Sequence, residues 1–142
     1  MSDEAKAFVF GTGAIRHTIG DKMAQVSQRS MSFLINLCKS LSPPIQSPNL
    51  KGELNSYIEP IMTALSDKLG DNLVKVRTLA EDTVMAMAEH PSFGLNPCLN
   101  MLIKSQVAQS KDGGAVKKAM QSNKHIIGRY QLLLRLLSTF EF

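Results

Sequence analysis

The chain has 142 residues, of which 44% are hydrophobic, and its formal net charge is +4. This length allows one hydrophobic core and argues against two domains. No apolar run approaches the roughly 20 residues that span a bilayer, and the opening MSDEAKAF lacks the basic-then-apolar order of a secretory signal. We therefore expect one cytoplasmic domain over residues 1–142, with no membrane partner.

The first part of the chain predicts a helical pair. Apolar residues recur at helical spacing over residues 3–19, and a second apolar stripe follows over residues 31–41. Gly20 and Asp21 lie between them as a short polar elbow. Three prolines in residues 42–49 cannot continue a helix, so this segment is predicted to be a connector.

The central part predicts a second pair. Ser47 and Pro48 form a typical helix start, with the serine as N-cap and the proline at the first helical position. Pro60 lies inside the apolar pattern that follows and is expected to kink or split that helix. Gly70 is expected to end it in the left-handed conformation. Asp71, or the asparagine after it, can then accept from the amides that open the next helix.

The helix after this second elbow is predicted to stop at Glu89 and to face the core with one apolar stripe. That stripe consists of Leu73, Val76, Ala80, Val84 and Met87.

The two elbows follow one pattern. Each has Gly-Asp, an apolar residue two positions after the Asp and a Val five positions after it, and Asp71 follows Asp21 by 50 residues. HEAT and armadillo units repeat at about 40–47 residues, and the proline-rich connector accounts for the longer period. We therefore predict an all-α solenoid of about three HEAT-like antiparallel helix pairs, over residues 3–42, 48–90 and 95–141.

No catalytic or metal-binding pattern is present in the sequence. No histidine lies four residues from another or near a cysteine, and neither a Gly-x-Ser-x-Gly elbow nor a phosphate-binding glycine loop occurs. Cys38 and Cys98 lie on helical apolar patterns and are expected to be buried, reduced thiols. We expect no enzymatic activity, no metal and no cofactor.

The row of elbows is the candidate site, because the turns within the pairs of a solenoid emerge along one edge. A basic ridge is predicted there, since the elbows hold few acids apart from the Gly-Asp caps. Such a row of cations fits an acidic protein surface, although the simpler interpretation is that the side chains are only solvated. The predicted ridge consists of Lys22 and Gln25 from the first elbow, Asn72, Lys75 and Arg77 from the second, and Lys111, Lys117 and Lys118 from the third.

The run KLGDNLVKVRTLAEDTVMAMA, residues 68–88, resembles a repeat of a TOG domain, the tubulin-binding HEAT array of microtubule plus-end and ciliary-tip proteins. The resemblance implies tubulin as the partner, with Lys75 and Arg77 matching the basic elbow positions best. Lys22 matches more loosely, and Lys117 and Lys118 match less because the third elbow is longer. The chain has room for only part of such an array and lacks the Trp typical of its first elbow. It therefore resembles the later half, and the resemblance implies a cytoskeletal location, at a cilium or centrosome.

Two other functions fit the same sequence. A scaffold would bind a partner helix or a second copy through its helix faces, notably through Leu132, Leu136 and Phe140 of the last helix. A helical-repeat nucleic-acid binder would place the same cations on phosphates. Against the latter, aromatic residues make up only 6% of the chain and Trp is absent, so no stacking platform for single strands is expected.

Overall fold

A computed structural model of the chain describes the backbone of residues 3–110 and 123–140 and the side chains of residues 3–102 and 131–140. Within these ranges the secondary structure is helical and no β-strand occurs, so the all-α prediction is confirmed. The α-helices are α1 (Asp3–Ile15), α2 (Ala24–Ser40), α3 (Pro48–Lys68), α4 (Val74–Glu89), α5 (Leu95–Ser110) and α6 (Asn123–Thr139), and a 3-10 turn (Thr18–Gly20) precedes α2.

Each helix packs against the helix two positions along the chain, and most consecutive helices also contact each other. Helix α1 packs against α2 and α3, helix α3 against α4 and α5, and helix α4 against α2, α5 and α6. One continuous apolar core runs through these contacts, because an amphipathic helix pair cannot bury its apolar faces alone. The largest fully buried side chains of the described residues are Phe8, Val9, Ile19, Met31, Leu34, Ile61, Leu65, Leu69, Val76, Met87, Leu132 and Leu136.

Several predicted helix boundaries are confirmed. Helix α3 begins at Pro48, and the Ser47 hydroxyl accepts a 3.5 Å hydrogen bond from the Leu50 amide. Helix α4 ends at Glu89 as expected.

Two features of the helices differ from the prediction. Helix α3 runs without interruption past Pro60, so the proline does not split it. The first helix is shorter than predicted and ends at Ile15, and the remaining apolar residue of its stripe, Ile19, is buried in the 3-10 turn.

The predicted left-handed cap at Gly70 is wrong. Among the described glycines only Gly94, in the turn between α4 and α5, has a positive φ, of 77°. Helix α3 ends instead by tightening, since the Gly70 amide donates to the Asp67 carbonyl at 3.1 Å and the Asp71 amide to the Lys68 carbonyl at 3.2 Å. These i to i+3 bonds satisfy the last carbonyls without a left-handed residue.

Glycine in α1 has a packing role that periodicity does not reveal. A Cβ atom on Gly13 would lie 2.8 Å from two ring carbons of Tyr57 in α3. The missing side chain therefore lets α1 approach α3 closely, which offsets the helix-propensity cost of a buried glycine. The guanidinium of Arg16 lies 5.0 Å from the centre of the same ring, a cation–π contact at the end of α1.

His90 joins the carboxyl-terminal ends of α2 and α4. Its ring is buried, stacks on Phe8 with 4.5 Å between ring centres and packs against Phe93. The Ser92 amide donates to Nδ1 at 3.1 Å, so this nitrogen carries the lone pair. Nε2 therefore holds the proton and donates to the Leu41 carbonyl at 2.7 Å. One side chain thus fixes the end of α2 against the end of α4 and the face of α1.

Replacing His90 with Ala is expected to destabilise the fold by about 3 kcal/mol, because two backbone groups lose their partner and an aromatic contact is lost. Urea unfolding followed by circular dichroism measures the change. His17→Ala is the matched control, since His17 is exposed. Equal stability of the two variants would contradict the role assigned to His90.

Both cysteines are free and buried, as the sequence predicts. Burial raises the pKa of the Cys38 thiol to about 12, and it raises that of Cys98 to about 12 as well. The Cys98 Sγ also lies 3.7 Å from the Val84 carbonyl, to which it donates a weak hydrogen bond. Each thiol therefore behaves as a small apolar core residue.

Because the thiolate is the reactive form, we expect the folded chain at pH 8 to react with an aromatic disulfide reagent at least about 100-fold more slowly than the unfolded chain. Stopped-flow absorbance with and without guanidinium chloride measures this ratio. Rapid labelling of either thiol in the folded chain would show that this thiol is not buried.

Candidate functional site

The two described elbows have the same local structure. In the first, the Asp21 Oδ1 accepts a hydrogen bond from the Met23 amide at 2.8 Å. In the second, the Asp71 Oδ1 accepts from the Leu73 amide at 2.9 Å. Each is an Asx turn, in which a carboxylate oxygen takes the place of a backbone acceptor. Helices α2 and α4 begin at the very next residue, so the Gly-Asp pattern of the sequence sets where both helices start.

A second residue stabilises the carbonyls of each elbow. The Ser27 hydroxyl donates to the Ile19 carbonyl at 2.5 Å. At the corresponding position of the second elbow, the Arg77 guanidinium donates to the Asp71 carbonyl at 2.6 Å and to the Asn72 carbonyl at 3.3 Å. Part of the donor capacity of Arg77 is therefore used within its own elbow.

Lys68 connects the two elbows. Its side chain is only 12% exposed, and its Nζ donates to the Asp21 carbonyl at 2.9 Å while lying 3.9 Å from Asp71 Oδ2. A single ammonium group reaches both turns, so the elbows lie side by side at one edge of the molecule. We call this surface the elbow edge and define it by residues 21–25 and 71–77. Lys68 is a positioning residue that the sequence pattern did not single out, because its importance comes from a contact 47 residues away.

Most of the predicted ridge residues that the structure describes are exposed on this edge. The side chains of Lys22, Gln25, Asn72 and Lys75 are exposed, whereas that of Arg77 is half-buried. None of these cations forms an ion pair with another described side chain. The cations predicted for the third elbow, Lys111, Lys117 and Lys118, lie outside the described residues.

Apolar side chains are interspersed with these polar ones. Met23 is 64% exposed, Leu73 51% and Val74 64%. The prediction that Leu73 lies on the buried stripe of α4 is wrong, because Leu73 is the N-cap residue and has an extended backbone (φ −85°, ψ 121°). Helical periodicity does not apply to a residue that precedes the helix. Met23 occupies the equivalent N-cap position before α2.

The acidic residues that follow the second elbow are paired with α6. The Arg135 guanidinium donates to Glu81 Oε1 at 2.9 Å and to Asp82 Oδ1 at 3.1 Å. The same helix buries Leu132 and Leu136 completely, so these two leucines are not available for the partner contact suggested by the sequence. The leucines of α6 that are exposed are Leu134, at 56%, and Leu137, at 41%.

Within the part of the chain that the structure describes, no group of three or more His, Cys, Asp or Glu side chains is placed to hold a metal ion. No described helix is both long and apolar enough to cross a membrane. Comparison with protein-family models, with curated proteins and with solved structures finds no match. The geometry defines an all-helical protein with an exposed edge of mixed basic and apolar character.

Lys68→Met keeps the aliphatic stem and removes the ammonium, so we expect it to lower the free energy of unfolding by about 2 kcal/mol and to loosen both elbows. Urea unfolding measures the first effect, and faster hydrogen exchange at the Met23 and Leu73 amides measures the second. Lys51→Met is the control, because Lys51 lies on the same helix and is exposed. Unchanged exchange at both elbows would show that Lys68 does not connect them.

Proposed function

We propose that this chain is a non-enzymatic tubulin-binding module of the cytoskeleton that contacts tubulin through the elbow edge. The resemblance of residues 68–88 to a TOG repeat supports tubulin as the partner. The elbow edge supports the mode of binding, because it presents Lys22 and Lys75 without a described ionic partner. An acidic protein surface is the complement of such an edge.

The proposal includes a solenoid arrangement of the helix pairs. Its support is the pattern of contacts, in which first helices contact first helices (α1 with α3, α3 with α5) and second helices contact second helices (α2 with α4, α4 with α6). Stacked HEAT-like pairs have this alternation, and their turns then lie in a row. A third elbow after α5 would extend the same row.

The observation that carries the proposal is that the two elbows are built alike and are held together by Lys68. Solvated turns need no fixed spacing, whereas a binding edge must present its side chains in register. The exposed apolar residues supply binding affinity that the exposed cations do not. Exposed ion pairs at an interface contribute little affinity, while covering the exposed part of Leu73 or Met23 under a partner contributes roughly 1–2 kcal/mol each.

The apolar component also favours protein over nucleic acid as the partner. Contacts with a phosphate backbone are made by cations and polar donors, and a base-stacking surface needs exposed aromatic rings. The elbow edge presents Met, Leu and Val instead. Its composition fits a protein surface on which acidic side chains surround apolar ones.

Size-exclusion chromatography with αβ-tubulin at low and moderate salt tests the proposal. We expect the chain to co-elute with tubulin and the double variant Lys22→Glu, Lys75→Glu to elute alone, because charge reversal places like charges against an acidic surface. Met23→Ser with Leu73→Ser is expected to weaken binding at least about 10-fold without altering its salt dependence.

The control variant is Lys6→Glu, Lys51→Glu, which changes the net charge equally at exposed lysines of α1 and α3 that lie off the elbow edge. Arg77 is left unchanged because it bonds its own elbow. Failure to co-elute at low salt would overturn tubulin as the partner, and equal loss in the control would overturn the elbow edge as the site.

A scaffold function is the second candidate, favoured by the exposed Leu134 and Leu137 on α6. In that case α6 would contact a partner helix or a second copy. Light scattering on the same column separates the two candidates, since self-association through α6 is insensitive to the charge of the elbow edge.

A further inference from the structure

A second surface lies between α2 and α4, and Lys75 is the lining residue that it shares with the elbow edge. The two helices run side by side there and leave an open groove with a volume of about 820 Å³. The residues that matter for its chemistry are Arg29, Phe33 and Asn36 from α2 and Lys75, Leu79 and Asp82 from α4. On α2 the lining extends over residues 28–36, about 12 Å or two turns of helix. A groove of this length accommodates a short helical segment.

The floor of the groove is apolar and partly open to solvent. Phe33 is 45% exposed although it is a large aromatic side chain, and Leu79 beside it is half-buried. An aromatic ring left in this state loses much of the stabilisation that burial provides. An apolar anchor from a bound segment would cover it.

The charge of the groove is unbalanced. Arg29 and Lys75 are exposed and form no ion pair with another described side chain. The acid in the lining, Asp82, is already bonded to Arg135 at 3.1 Å. The groove therefore presents uncompensated positive charge beside an apolar floor. The complementary ligand carries carboxylates next to apolar side chains.

We propose that this groove binds an acidic amphipathic helical segment of a partner protein, with an apolar side chain on Phe33 and Leu79 and carboxylates facing Arg29 and Lys75. Recognition of this kind places residues at i, i+3 or i+4 of one helix face into a groove. The chain's own segment 111–122 has the wrong charge for this role, since it carries Lys111, Lys117 and Lys118 against one acid, Asp112. The proposal does not depend on tubulin binding.

A displayed library of random peptides of about 16 residues, selected against the full chain, is the direct test. A peptide of this length forms about four helical turns and spans the groove. We expect enriched sequences to combine Asp or Glu with Leu or aromatic anchors at helical spacing. A synthetic peptide of this kind should bind at least about fivefold more weakly to Phe33→Ala than to the unchanged chain. Arg29→Gln should also weaken binding relative to the unchanged chain, and this loss should be larger at low salt than at high salt.

Phe10→Ala is the matched control, because Phe10 is 56% exposed on α1 and does not line the groove. Arg29→Gln changes a solvent-exposed side chain and keeps the test valid if Phe33→Ala perturbs folding. Enrichment of basic peptides, equal binding to Phe33→Ala and Phe10→Ala, or no enrichment would overturn the proposal. A dimer of the free chain that Phe33→Ala converts to a monomer would also overturn it, because the groove would then belong to a second copy.

Discussion

The hydrogen bond from the Lys68 ammonium to the Asp21 carbonyl is the contact on which the arrangement of the elbow edge depends. A lysine that is only 12% exposed must have its charge satisfied, and here it is satisfied by a backbone carbonyl of one turn and, at longer range, by a carboxylate of the next. The bond therefore does more than add stability. It fixes how far apart the first and second elbows lie, and so determines which side chains a partner meets together.

His90 plays the corresponding role at the other ends of α2 and α4. Its bond to the Leu41 carbonyl joins residues 49 positions apart, almost the same separation as the 47 positions between Lys68 and Asp21. The two polar links are separated by the length of α4, about 24 Å for 16 residues. Between them the contact is made by apolar side chains, which have no directional preference and would allow α2 and α4 to slide. Directional bonds at both ends remove that freedom.

Two exposed surfaces that carry both apolar side chains and cations lie in different places on the fold. On the elbow edge, Met23 and Leu73 are exposed because an N-cap residue stands outside the helix and its side chain is not directed to the core. In the groove between α2 and α4, Phe33 lines the open side of the packed helix pair and is 45% exposed. Both parts combine apolar side chains with cations, since the acids nearby, Glu81 and Asp82, are neutralised by Arg135. Lys75 belongs to both surfaces, so its positive charge contributes to the potential of each.

The apolar periodicity was sufficient for the helical character of the chain, while the Ser47-Pro48 cap located the start of α3 and the Glu89-His90-Pro91 run located the end of α4. The repeated Gly-Asp pattern likewise located both elbows, because an Asx turn is a local structure made by residues two apart. Local patterns could not supply the conformation of Gly70 or the exposure of Leu73, since the first depends on where α3 ends and the second on where α4 begins, each to within one residue.

The contacts that join one helix pair to the next could not be predicted from the apolar periodicity. Lys68 and His90 have unremarkable surroundings in the sequence, and their partners lie nearly one repeat away. The same holds for Arg135, which neutralises acids more than 50 residues earlier. Periodicity records which face of a helix is apolar, and this is enough to specify helices and turns. Which faces meet, which charges are paired and which remain exposed follows only from the packing of distant segments, because those interactions act through space and leave no local spacing to detect.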